Sequence, residues 1–312
     1  MIDPIDPYRT TALVDGPAGR IAVIDHGGHG PDVLLLHGAN RTALDWQALL
    51  PHLPGLRLVA MDLRGHGRSQ APADGDYGWA SHLADVDAVI QALGLREPWL
   101  IGHSLGGMIA VRHAATHPGC PGIVDLDGFG SGVPSLYPGL APGEVAARRA
   151  EQLALYAALP AVSADAGELL ARARASAKRL GWAPDVEEAG VLRSLAPATG
   201  GGVAVRPAPS TLPALMAPID GWDMFAEVRS LRCPVLLVQG GRTPELGHLP
   251  GRVRELTEAL IAGIGRELAA LRAEAGHVRA VSLDRAAHML HLDEPAVVAA
   301  LVREAVLGDA RH

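Results

Sequence analysis

The stretch 98–117 constrains the fold of this chain more than any other. A short apolar run, Pro98 to Ile101, enters the turn Gly102-His103-Ser104-Leu105-Gly106-Gly107, and a helical pattern follows from Met108 to His117. Passing from strand to helix in so few residues leaves no room for bulk beside the turning residue, so glycines flank the serine. The hydroxyl is then held out at the top of a sheet, at the positive end of a helix. That placement suits a nucleophile.

The same strand-to-helix rhythm runs through most of the 312 residues. Val33 to Leu36 and Leu56 to Met61 are continuous apolar runs, as expected of strands buried on both faces. Thr11 to Val14 and Arg20 to Asp25 predict two shorter strands joined by a turn at Asp15 to Gly19. A helix is predicted from Thr42 to Leu53, ended by Pro54 and Gly55. Another is predicted from Tyr77 to Leu95, where Leu83, Val86, Val89, Ile90 and Leu93 share one face. Gly122 to Asp127 reads as a further strand. From about Gly128 to Leu231 the rhythm breaks. Helical stretches stand at Glu144 to Leu159 and Ala166 to Leu180, Ala196 to Pro213 is rich in glycine and proline, and no strong strand is visible. A segment that long is no connecting loop and predicts an inserted helical cap. Strands at Pro234 to Gln239 and Val278 to Leu283, with helices at Arg252 to Glu274 and Glu294 to Val306, restore the pattern. The expectation is an α/β fold with a mostly parallel sheet and right-handed crossovers. Residues 1–127 and 232–312 would form the core and 128–231 the cap.

Composition narrows the partners. Hydrophobic residues at 48% allow a sizeable core. A net charge of −7 argues against nucleic acid or an anionic membrane as partner. No apolar run approaches transmembrane length, and the first ten residues lack the apolar centre of a signal peptide. A cytoplasmic location is the expectation, with Cys120 and Cys233 as free thiols.

A serine nucleophile needs a base, a group that orients the base, and backbone donors for the oxyanion. His37-Gly38-Ala39-Asn40 directly follows the buried run at Val33 to Leu36. A glycine there lets the backbone turn back over the serine, so the amides of Ala39 and Leu105 are the candidate oxyanion donors. The base is expected late in the chain. His288 lies in a loop before the final helix, where an imidazole can reach the carboxyl edge of the sheet. His291 lies one helical turn on and is read as a pocket or structural residue. Neither that pair nor His26 with His29 has the carboxylate or cysteine neighbours of a metal site. No metal or cofactor is expected.

Taken together, His37-Gly38, the segment Asp62-Leu63-Arg64-Gly65-His66-Gly67-Arg68-Ser69, the serine turn, and His288 before Asp293-Glu294-Pro295 resemble the α/β-hydrolase superfamily with a cap. The resemblance implies the fold and a catalytic triad, and it treats Asp62 to Ser69 as a structural turn. In most capped relatives the acid follows the strand after the cap. Here Thr243 holds that position, and a threonine cannot offset an imidazolium charge. Asp127, ending the strand before the cap, is the favoured acid, and Glu245 is the alternative. Asp125 is read as structural.

A serine in place of an aspartate argues against dehalogenation or epoxide hydrolysis. The implied activity is hydrolysis of a carboxylic ester, lactone or thioester of a small to medium-sized molecule. The alternatives are acyl transfer or cyclisation on the same triad, or a non-catalytic receptor on a hydrolase scaffold. Asn40, His103, Tyr137, Trp182 and Trp222 are candidate substrate contacts, with Leu136, Tyr156, Met216 and Phe225 as further lining. An aromatic content of 4% points to an aliphatic or mixed pocket.

Overall fold

The computed structural model describes residues 10–163, 165–242 and 249–308. The chain opens with β1 (Ala12–Gly16), β2 (Gly19–Gly27), β3 (Asp32–Leu36), β4 (Arg57–Met61), α1 (Trp79–Ala92), β5 (Trp99–His103), α2 (Leu105–Thr116) and β6 (Ile123–Leu126). Next come α3 (Pro142–Ala157), β7 (Val162–Ser163), α4 (Ala166–Leu180), α5 (Pro184–Ser194), β8 (Leu195–Pro197), β9 (Val203–Val205), α6 (Leu212–Met216) and α7 (Met224–Ser230). The chain then rejoins the main sheet through β10 (Val235–Gly240), α8 (Gly251–Glu274), β11 (Val278–Leu283), α9 (Leu290–Asp293) and α10 (Pro295–Leu307).

Eight strands form the main sheet in the order β1-β2-β4-β3-β5-β6-β10-β11. β2 runs antiparallel to β1 and β4, and the remaining pairs are parallel. The apolar runs serve two cores at once. Leu34 and Leu36 of β3 face one cluster with Val86, Ile109 and Leu268, while Val33 and Leu35 face another with Trp46, Leu290 and Val302. Strand periodicity of two, with both faces apolar, produces this division. The parallel register also gathers the carboxyl ends of β3, β4, β5, β6 and β10 at one edge. His37, Asp62, Ser104 and Asp127 each follow directly on a strand end there.

Two expectations are corrected. The segment Thr42 to Leu53 is not an α-helix but two 3-10 turns, Ala43–Ala48 and Leu50–His52. Pro51 removes a backbone donor, and the Asp62 carboxylate takes the Ala43 amide at 2.8 Å. The segment between β6 and β10 also contains a small antiparallel sheet, β7-β9-β8, in addition to its helices. Its strands are two or three residues long, too short to show a period.

Polar contacts fasten this inserted segment to the main sheet. Arg193 of α5 donates from Nε to both oxygens of Asp62, at 2.9 and 3.1 Å, with the side chains 3% and 0% exposed. The same carboxylate accepts the Arg68 amide at 2.8 Å. Arg41 bridges Asp45 and Glu187 of α5 at 2.8 Å each. Removing one partner of a buried pair strands the other charge, which costs about 3–5 kcal/mol. Arg193→Ala should therefore lower unfolding free energy by about that amount in urea titration. Glu187→Gln, at a partly exposed pair, should cost well under half as much.

Candidate active site

Ser104 sits between β5 and α2 with φ 51° and ψ −118°, a conformation that costs a non-glycine residue about 1–3 kcal/mol. Close backbone approach enforces it. A Cβ on Gly106 would stand 2.0 Å from the Leu36 carbonyl oxygen, and one on Gly102 would stand 2.1 Å from that of Gly106. The Ser104 amide donates to Leu126 O at 3.0 Å, which ties the turn to the end of β6. Gly38 lies against the serine, since a Cβ there would come 3.1 Å from Ser104 Cβ.

The loop after β3 is shaped by His37. Its Nδ1 donates to Gly38 O at 2.7 Å and its Nε2 accepts the Leu63 amide at 3.0 Å. Those two bonds require the neutral ring, and burial holds its pKa below the ordinary value. Among the described residues, neither the Ala39 nor the Leu105 amide donates to a backbone carbonyl. Both remain available to a ligand. Asn40 follows with φ 60° and is exposed.

Asp127 stands one residue beyond β6 with φ 55°. Its amide donates to Val238 O at 2.8 Å, and its Oδ1 accepts the Gly240 amide at 2.9 Å. The remaining oxygen, Oδ2, lies 2.7 Å from His288 Nδ1. The carboxylate is 17% exposed and the imidazole 56%. Asp125, two residues earlier, is fully buried under Gly107 and Gly128. Burial and the Asp127 charge push its carboxyl well above the carboxylate range, and the Gly128 amide offsets this only in part. It is a structural neighbour of the site.

The loop carrying His288 is held from below. His103 Nε2 donates to the His288 carbonyl at 2.9 Å, and the two rings lie 4.7 Å apart. His103 therefore links the residue beside the serine to the late histidine. His291 is fully buried, with its ring 4.5 Å from that of His103. Asp293, which the sequence singled out only as part of a motif, accepts the Ala287 amide at 2.7 Å and Trp182 Nε1 at 2.8 Å. Trp182, between α4 and α5, thus joins the inserted segment to the histidine loop.

Other candidates lie elsewhere in the packing. Tyr137 is 2% exposed, donates to Ser131 O at 2.9 Å, and lines a cavity of about 110 Å³ with Arg149, Leu153 and Met216. Trp222 packs edge-on against Trp79 at 5.0 Å and beneath Arg112 at 5.8 Å. Leu136 and Phe225 are core residues, and Tyr156 is exposed. Thr243 and Glu245 lie outside the described residues.

A family model for the alpha/beta hydrolase fold matches residues 31–295. The chain belongs to the α/β-hydrolase fold family. Its curated relatives include protein phosphatase methylesterase 1 of Mus musculus, 38% identical over 113 residues, covering 34% of this chain and 29% of that protein. An esterase of Mycobacterium tuberculosis is 36% identical over 101 residues, covering 32% of this chain and 34% of that protein. The matches thus span about a third of these relatives' length. Among solved structures, E-2-(acetamidomethylene)succinate hydrolase superposes with a TM-score of 0.68 at 21% identity, covering 95% of this chain and 98% of that one. At that identity the likeness is one of fold. No helix among the described residues is long and apolar enough to cross a membrane.

Several α/β-hydrolase core histidines share one electrostatic state. Burial lowers the pKa of His37, His66, His82, His103 and His291. For His82 burial, reinforced by Arg64, brings it down to about 3 from 6.5. Below 6.5 the unfolded chain takes up protons that the folded chain refuses, so stability is full above that pH and is lost as pH falls. The urea midpoint should decline from about pH 6.5 towards 3. His82→Leu should flatten that slope by up to about one proton.

Proposed function

We propose that this chain is a serine hydrolase that cleaves a carboxylic ester, lactone or thioester of a small to medium-sized molecule. The observation that carries the reading is the 2.7 Å contact between Asp127 Oδ2 and His288 Nδ1, on a loop whose carbonyl is held by the neighbour of a strained serine. In this reading Ser104 Oγ attacks the acyl carbon and His288 Nε2 takes its proton. Asp127 fixes the tautomer with the hydrogen on Nδ1 and offsets the imidazolium charge. The Ala39 and Leu105 amides hold the oxyanion, the latter at the positive end of α2. His288 then activates water to release the acyl group. Residues 128–231 act as the cap that selects the substrate. The activity needs no cofactor.

Names among the relatives support an ester-type bond, with a methylesterase and an esterase at modest identity. Among solved structures, a thioesterase domain at 23% identity and an N-acyl homoserine lactone degrading enzyme at 21% share the fold. The 56% exposure of His288 favours water as the acyl acceptor over acyl transfer or cyclisation. An intact serine, histidine and aspartate set speaks against a non-catalytic receptor.

Wild-type protein should label with a fluorophosphonate probe, and Ser104→Ala should not. Asp127→Asn should reduce turnover of p-nitrophenyl esters by about 10⁴, while Glu245→Gln should stay near wild type. An unlabelled wild type would overturn the enzyme reading. The reverse order of the two carboxylate variants would move the acid to Glu245. A panel of esters, lactones and acyl thioesters ranks the substrate class.

A further inference from the structure

At the opposite edge of the sheet from this site, the two cysteines of the chain come together. β6 and β10 are parallel neighbours whose first residues, Ile123 and Val235, are Cα partners. The Ile123 amide donates to Pro234 O at 3.0 Å, so the pairing already holds one residue before β10. Cys120 and Cys233 precede those strand starts, out of step by a single residue. Parallel strands lie about 4.8 Å apart and rise about 3.3 Å per residue, a spacing that puts two such Cα atoms about 6 Å apart. A disulfide spans about 4.4–6.8 Å between Cα atoms.

Both side chains also leave the same face. Cys120 and Cys233 are free thiols, each partly exposed, and both pack against the same one of the two cores. Their sulfurs lie within hydrogen-bond reach of each other, and that contact is the leading influence on both thiols. It raises the Cys120 thiol, with burial adding to the effect. It brings Cys233 down to about 7, against the opposing effect of burial. A cysteine that gives up its proton near neutral pH is the attacking partner in disulfide exchange. Partial exposure lets a small reagent reach it.

We propose that Cys120 and Cys233 are an oxidisable pair, which a small-molecule disulfide converts to an intramolecular bridge at the root of the inserted segment. The Cys233 thiolate attacks one sulfur of the small disulfide and expels a thiolate. Cys120 then loses its proton and attacks the Cys233 sulfur, forming the bridge and expelling the second thiolate. The two protein sulfurs give up two electrons, the small disulfide takes up two, and the two thiol protons pass to the two expelled thiolates.

The bridge encloses residues 121–232, and with them all of the segment 128–231. Closing so long a loop removes freedom chiefly from the unfolded chain, so the bridged form is the more stable one. Both cysteines stand at the amino ends of their strands, whereas Asp127 follows the carboxyl end of β6, four residues or about 13 Å away. The bridge therefore acts on stability and not on the contact between Asp127 and His288. It holds whether or not the chain is a hydrolase.

Treating the folded full chain with glutathione disulfide, and following intact mass, free thiols and thermal melting, tests this. Wild type should lose the mass of two hydrogens and both titratable thiols, without covalent dimers on a denaturing, non-reducing gel. Its melting midpoint should rise by several degrees over the reduced protein and return when dithiothreitol is added. Cys120→Ser should stop at the mixed disulfide between Cys233 and glutathione, because no second thiol expels it. Neither Cys120→Ser nor Cys233→Ser should show the oxidation-dependent rise. Two persistent free thiols in wild type, a mixed disulfide as its end point, covalent dimers, or a bridged form that melts no higher than the reduced one would each refute the bridge.

Discussion

One buried carboxylate, Asp62, organises more of this molecule than any other polar group. It follows β4 and is fully buried, so each of its oxygens must be matched. The Ala43 amide, the Arg68 amide and the Arg193 guanidinium match them. Those donors come from the 3-10 segment after the Gly38 loop, from the turn after β4, and from α5 of the inserted segment. A single charge therefore sets where three otherwise independent stretches meet, all at the carboxyl edge of the sheet. The strain at Ser104 is sustained because its surroundings are held this firmly.

Much of this arrangement is legible in the sequence, and the reasons differ by residue. Val33 to Leu36 and Trp99 to Ile101 announce strands because both sheet faces are apolar, and such runs carry their own signal. Ser104 is legible because the turn must be made of glycines, a requirement local to six residues. Asp127 is legible as a carboxylate on a rigid strand end, and its pairing with His288 is expected from the resemblance and not from any local pattern. Contacts across 131 residues, as between Arg193 and Asp62, or 185 residues, as between His103 and the His288 carbonyl, leave no local pattern. The small β7-β9-β8 sheet is invisible for a different reason, since two- and three-residue strands have no period to read. The 3-10 turns after Thr42 show tertiary contact overriding local propensity, with the Asp62 carboxylate taking a donor near the start of the segment.

The surroundings of the candidate site divide by burial. Burial lowers the pKa of His37, His103 and His291 and raises that of Asp125 well above the carboxylate range. Asp127 and His288, by contrast, retain contact with water. The sheet edge thus presents the Asp127–His288 pair beside buried histidines that fix geometry through hydrogen bonds, with the Asp62–Arg193 and Asp45–Arg41 charges at the same edge each paired within the protein.

The hydrogen bond from Trp182 to Asp293 has a consequence for how such a protein can diversify. Asp293 also holds the amide of Ala287, the residue just before His288. The segment between β6 and β10 and the loop that carries His288 therefore share one anchor. Exchanging that segment for another, in the laboratory or over generations, also removes a brace of the histidine loop. An incoming segment that brings its own donor to Asp293 restores that brace, which links the segment to the loop through one side chain.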